Sequence, residues 1–137
     1  MSEVQRTLVL LKPDAVRRGL VGEIIGRYEA KGLSIVAMEQ RLIDSAQSDR
    51  HYFEHVERPF YPALREFITS GPLIAAVLEG PSAIDAVRNL NGPTDGVSAP
   101  AGSIRGDFAL SNRENLVHAS DSTEAAAREI SLWFPSL

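Results

Sequence analysis

Strand-like and helix-like segments alternate along the whole chain, and this alternation is the tightest constraint on its fold. Thr7 to Leu11 (TLVLL) is an unbroken apolar run and reads as a buried strand. Gly22 to Lys31 follows as a helix, with Leu20, Ile24, Ile25 and Tyr28 at helical spacing and Gly32 as its stop. Leu33 to Ile43 is a second strand with a break expected inside it. Asp44 and Ser45 can cap a helix running to about Val56, and Tyr61 to Thr69 forms another, ended by Ser70-Gly71-Pro72. Leu73 to Leu78 (LIAAVL) is the third strand. Ser82 is placed to cap a helix over Ala83 to Leu90, and the Gly- and Pro-rich stretch Asn91 to Gly102 reads as a long loop of the kind that usually carries function. Asn115 to Ala119 is the fourth strand, and Thr123 to Phe134 the last helix, where Glu124 and Arg128 have the spacing of a favourable ion pair. Taken alone, this β-α-β-α order suggests a parallel α/β sheet.

At 137 residues, 44% hydrophobic and 23% charged, the chain is expected to form one domain over residues 1–137 with a substantial core. Its lack of cysteine excludes thiol catalysis and a disulfide scaffold. Thr7 to Leu11 is too short for a signal core or a membrane span, so a cytoplasmic protein with no membrane partner is expected. The net charge of −4 argues against nucleic acid as a partner, since binding a phosphate backbone needs a surplus of Lys and Arg. A local basic pocket for one small anion remains compatible with it. No Walker loop and no G-x-G-x-x-G follows the first strand.

One constellation stands out. Lys12, Arg88, Arg105 and His118 each lie near the end of an element or beside the long loop, where side chains converge on ligands. The stretch NLVHASDS, Asn115 to Ser122, puts His118 where a strand stops and a helix is about to start. Glu129 lies four residues after Ala125 and four before Trp133, on a helix face expected to pack inward, and a carboxylate there wants a partner. A His118–Glu129 contact would fix the imidazole's tautomer. Periodicity leaves it equally open that Glu129 reaches water. A competing constellation is His51-Tyr52-Phe53-Glu54-His55, which matches H-x-x-E-H and on a helix would set two imidazoles on one face for zinc, though without an evident third ligand.

TLVLLKPDAV (Thr7 to Val16), HYFEH, FITSGP (Phe67 to Pro72), SIRGDFA (Ser103 to Ala109) and NLVHASDS together resemble the nucleoside diphosphate kinase family, from about residue 5 to Phe134. The resemblance implies a different architecture: an α+β, ferredoxin-like domain with a four-stranded antiparallel sheet covered by helices. It implies transfer of the γ-phosphate of a nucleoside triphosphate, typically ATP, to a nucleoside diphosphate by way of a phosphohistidine. His118 matches the nucleophile, Lys12, Arg88 and Arg105 the phosphate-binding cations, Thr94 a hydroxyl donor and Tyr52 a support for the γ-phosphate. Asn115 matches a residue at the sugar, where Lys12 also reaches, Phe60 the aromatic that stacks on the base, and Glu129 the carboxylate orienting the histidine. Mg2+ is implied through the nucleotide phosphates, with no protein metal site, since HYFEH has no metal role in the family. A homo-oligomer, hexamer or tetramer, is implied as well.

A neutral imidazole is nucleophilic near pH 7 without a separate base, and fixed cations stabilise the charge spread over a transferring phosphoryl group. Four departures from the family pattern are visible: Ala119 where Gly is usual, Gly96 where Pro is common, the order Pro100-Ala101, and Asn112 in place of an apolar residue near the base. The closing segment Leu132 to Leu137 (LWFPSL) carries Trp133 and Phe134, more apolar surface than a free tail would comfortably expose.

Overall fold

A computed structural model describes residues 3–137. Its sheet has four strands in the order β2-β3-β1-β4, formed by Val4–Leu11 (β1), Ser34–Arg41 (β2), Leu73–Pro81 (β3) and Val117–Ala119 (β4). Every pairing is antiparallel. β1 and β2 run the same way but are separated by β3, and β3 and β4 are likewise separated by β1, the split βαβ pattern of the ferredoxin-like fold. The parallel sheet suggested by alternation is thus corrected. Strand direction depends on which distant strand supplies the partner, and element order does not encode that.

Both faces of the sheet are covered, which accounts for the apolar runs without alternation. From β1, Val9 and Leu11 join a core with Ala15, Ile24, Tyr28, Val87 and Val117, while Leu8 and Leu10 join a second core with Tyr52, Tyr61, Ile68, Trp133 and Phe134. The first core is roofed by Pro13–Arg17 (α1), Val21–Lys31 (α2) and Ala83–Asn91 (α5), the second by Tyr61–Ile68 (α4) and Thr123–Trp133 (α7). Ser45–His51 (α3) leads into Tyr52 on the second side, and Ile104–Phe108 (α6) contributes Ile104 to the first.

Local chemistry sets the ends of these elements. Gly32 closes α2 at φ 109°, which a side chain would oppose. The break foreseen in β2 is a register shift between Ile35 and Ala37. The Asp44 side chain accepts from Gln47 N–H at 2.9 Å and starts α3. α3 then stops at His51 rather than near Val56, because His51 and Tyr52 are drawn into the interior and the chain continues in turns, with His55 N–H donating to Tyr52 C=O. Ser82 does not cap α5. It sits at φ 51°, and Gln5 Oε1 accepts the Ile84 N–H instead. The short α6 was not foreseen; Ser103 accepts from Gly106 N–H and begins it just past the long loop. The expected Glu124–Arg128 pair is not formed among the described residues; Arg128 turns to Glu129 and lies 4.5 Å from the centre of the Phe53 ring.

The C-terminal segment also departs from expectation. Trp133 and Phe134 are 1% and 7% exposed, packed in the chain's own second core with the Arg41 guanidinium 4.6 Å from the Phe134 ring. Of the same segment, Leu137 remains half-exposed.

Candidate functional site

β4 carries the histidine across the sheet. Val117 and Ala119 face the first core, so the strand's alternation turns His118, paired with Leu10, toward the second side and α7. There His118 Nε2 lies 3.1 Å from Glu129 Oε1, and Glu129 is 5% exposed. Glu129 therefore reaches the histidine and not bulk water. The same oxygen accepts from Ser120 Oγ at 2.7 Å, and Ser120 Oγ in turn accepts from Leu8 N–H at 3.3 Å, tying the carboxylate to β1. Arg128 lies 3.5 Å from Glu129 Oε2. An ionised carboxylate can only accept, so this geometry puts the imidazole proton on Nε2 and leaves the Nδ1 lone pair free. The Ser120 bond to Glu129 was not anticipated from sequence. Nothing local marks it, because its partners lie 9 and 112 residues away.

His118 opens into a cleft of about 620 Å³, within the range of small-molecule sites. Lys12, Tyr52, Phe60, Arg88, Thr94, Arg105, Asn115 and Glu129 line it together with His118, so every residue singled out from the sequence converges there. Lys12 follows β1 and is 7% exposed, its Nζ donating to Asn115 Oδ1 at 2.8 Å. Burial, and then the Arg105 charge, lower its pKa from 10.5 to about 8. Asn115 Nδ2 donates to the carbonyls of Thr94 and Asn112. Arg105 donates through Nε to Asn115 C=O at 3.2 Å, through Nη1 to Gly92 C=O at 2.8 Å, and through Nη2 to Val117 C=O. Phe60 is half-exposed at the mouth, beside His55. Burial and the Glu129 charge push the Tyr52 hydroxyl well up, so it remains a neutral donor.

Of the departures from the family pattern, Asn112 and Ala119 line the cleft. Gly96 is in close backbone contact with Ala109, and any Cβ there would collide with the Ala109 carbonyl. This chain's loop thus excludes proline at that point by packing.

The zinc constellation is not assembled. α3 ends at His51, whose ring stands edge-on 4.5 Å from His118, while His55 lies against Tyr52 and Phe60. The histidine-carboxylate group close enough to share an ion is instead His51, His118 and Glu129. It suits a metal poorly. Trp133 Nε1–H donates to His51 Nδ1 at 3.0 Å, and an indole can only donate, so a neutral His51 carries its proton on Nε2 and offers no lone pair there. Burial, and next the neighbouring His118, hold the His51 pKa well below the usual histidine value.

An antiparallel split βαβ domain whose cleft gathers Lys12, Arg88 and Arg105, together with Arg113 and Arg128, around an oriented imidazole has the construction of a phosphoryl-transfer protein. The model of the nucleoside diphosphate kinase family matches residues 5–137. A nucleoside diphosphate kinase of Nocardioides sp. is 70% identical over 132 residues, covering 96% of this chain and 98% of the relative. One from Mycobacteroides abscessus is 63% identical over 134 residues, covering 97% and 98%. Among solved structures, the crystal structure of a nucleoside diphosphate kinase family protein from Babesia bovis matches with a TM-score of 0.92 at 47% identity, over 95% of this chain and 88% of that one. The chain belongs to the nucleoside diphosphate kinase family.

Proposed function

We propose that this enzyme moves the γ-phosphate of a nucleoside triphosphate onto a nucleoside diphosphate in two half-reactions through a phosphohistidine at His118. The observation that carries this reading is the Glu129 Oε1 contact to His118 Nε2 at 3.1 Å, which leaves Nδ1 as the nucleophile. In the first half-reaction Nδ1 attacks the γ-phosphorus and the bond to the β-γ bridging oxygen breaks. The diphosphate leaves with that electron pair, and Glu129 balances the charge gathering on the imidazole. The second half-reaction is the reverse onto another diphosphate, served by the same groups. Lys12, Arg88 and Arg105 take the phosphate oxygens, with Thr94 and Tyr52 donating hydroxyls. Asn115 and Lys12, already bonded to one another, meet the sugar, and Phe60 stacks on the base, a mode that tolerates purines and pyrimidines alike.

Magnesium belongs to this reading as part of the nucleotide. It prefers oxygen ligands, and the remaining carboxylates of the cleft are Glu54 and Asp121 rather than the nitrogen-rich His51 group. When bound it would neutralise charge on the β- and γ-phosphates. A single domain over residues 1–137 is supported by the one sheet that organises both cores among the described residues. A homo-oligomer, hexamer or tetramer, is supported by Val97 and Leu110, 69% and 85% exposed on and beside the long loop. A cytoplasmic location agrees with the absence of cysteine, and no helix among the described residues is long and apolar enough to cross a membrane.

Brief incubation with γ-labelled ATP and magnesium should leave one acid-labile, base-stable label per chain. Any unlabelled nucleoside diphosphate should discharge it, and His118→Ala should abolish it. Label that survives acid, or persists in His118→Ala, would refute the mechanism and point to Ser120 or Ser122 as acceptor.

A further inference from the structure

Leu116 lies one residue ahead of β4 with φ 77°, a region that branched side chains rarely enter. Val117 N–H donates to Asn115 C=O at 2.9 Å, so Leu116 is the centre of a three-residue turn of the rare, strained, positive-φ form. Such a conformation persists only where its surroundings over-determine it. The Leu116 side chain is fully buried, and its C=O accepts from Lys12 N–H at 2.8 Å. Its own N–H donates at 3.1 Å to Asp14 Oδ2, across 102 residues of sequence. Asp14 stands in the first turn of α1 and is 2% exposed, and its other oxygen, Oδ1, is buried without a partner.

Burial raises the Asp14 pKa, and although its carboxyl also meets the Asp14 and Ala15 amides at the start of α1, Leu116 N–H is the amide it reaches from a distant part of the chain. That amide is the one whose release would let Leu116 relax to negative φ. The residues on either side of the turn are the ones the reaction uses. Asn115 immediately precedes it, bonded to Lys12 Nζ at 2.8 Å, and His118 follows two residues on. The Lys12 hold on the turn is a backbone amide that survives side-chain change; the Asp14 hold is a side chain and does not.

We infer that Asp14 is a positioning residue for phosphoryl transfer: its carboxylate pins the left-handed Leu116 turn and thereby sets His118 and the Asn115–Lys12 pair in register. This rests on His118 as nucleophile, and it assigns Asp14 a geometric role. The competing role, charge support for the neighbouring Lys12 ammonium, makes the opposite prediction for asparagine, which keeps an acceptor oxygen and loses the charge.

The test compares full-length wild type, Asp14→Ala, Asp14→Asn, Leu116→Gly and the Asp14→Ala/Leu116→Gly pair. Single-turnover labelling from γ-labelled ATP is measured at a temperature where thermal melts show each to be folded. Asp14→Ala should slow labelling tenfold or more, and Asp14→Asn should restore it to within about threefold of wild type. Glycine adopts positive φ freely, so in the Leu116→Gly background the effect of Asp14→Ala should shrink to threefold or less. Labelling by Asp14→Asn as slow as by Asp14→Ala would overturn the inference in favour of charge, and an equal alanine effect in both backgrounds would overturn it as well. Should Asp14→Ala fail to fold, Asp14→Asn decides alone: a tenfold loss there refutes a geometric role. Absence of His118 labelling in wild type would instead refute the proposed reaction, so the two failures are distinct.

Discussion

Lys12 offers a test in which activity and stability move in opposite directions. Its pKa falls from 10.5 to about 8 because burial beside the Arg105 charge disfavours the ammonium. Through linkage that displacement is worth roughly 3 kcal/mol in favour of the neutral form. Between about pH 8 and 10.5 the unfolded chain holds a proton on Lys12 that the folded chain has released, so stability rises with pH across this window. Catalysis goes the other way, because a neutral amine cannot draw in phosphate. For free enzyme, kcat/KM should fall about tenfold for each unit of pH above roughly 8. kcat should hold to higher pH, since bound phosphates return the proton to Lys12. The assay pairs pH profiles of kcat and kcat/KM with urea unfolding of wild type and Lys12→Gln. Only wild type should gain stability between about pH 8 and 10.5, after subtraction of the variant's own trend. A kcat/KM that stays flat to about pH 9.5, or unfolding curves that move in parallel for both proteins, would refute the assignment of a depressed, functional ammonium.

Two further outcomes are expected. Glu129→Gln exchanges a charge-assisted bond for a neutral one, a difference of about 1 to 1.5 kcal/mol when charge gathers on the imidazole, so kcat should drop roughly tenfold in a chain that still folds; unaltered turnover would remove Glu129 from the mechanism. Deleting Trp133 to Leu137 strips two buried aromatics from the second core, and losing an aromatic of this kind costs about 3 to 5 kcal/mol. The truncated chain should melt far below wild type, and an unchanged melting temperature would contradict the packing described.

What the sequence disclosed and what it withheld divide along physical lines. β1 and β3 were legible because Leu8 to Leu11 and Leu73 to Leu78 are buried on both faces and leave unbroken apolar runs. Helical period places Glu129 between Ala126 and Trp133, both buried, which raised the inward reading but left water equally open until its contact with His118. β4 was legible from the apolar run that ends at His118, though it is three residues long, whereas α6, five residues long, is too short for any period to register. Strand direction, the stop of α3 at His51 and the roles of Ser120 and Asp14 were not legible. Each depends on contacts made across most of the chain, such as Leu8 with Ser120 and Asp14 with Leu116. The resemblance supplied the antiparallel sheet that local patterns could not.

Arg105 shows why the phosphate cations cannot be separated from the scaffold. Its guanidinium donates to carbonyls of Gly92, Asn115 and Val117, three points that join the start of the long loop, the strained Leu116 turn and β4. Burial disfavours its charge, yet a guanidinium stays protonated at any working pH, so the charge persists in the cleft while the hydrogen bonds hold the walls. Lysine could preserve the charge but not three divergent donors fixed in one plane. Arg88 lines the same cleft from α5 without appearing in that network. In the proposed reaction both arginines take phosphate oxygens, Arg105 as part of a fixed, preorganised positive field and Arg88 with donors that lie outside that network. Such an arrangement favours the transition state, because the field at His118 is in place before the phosphoryl group arrives and needs no reorganisation when charge moves.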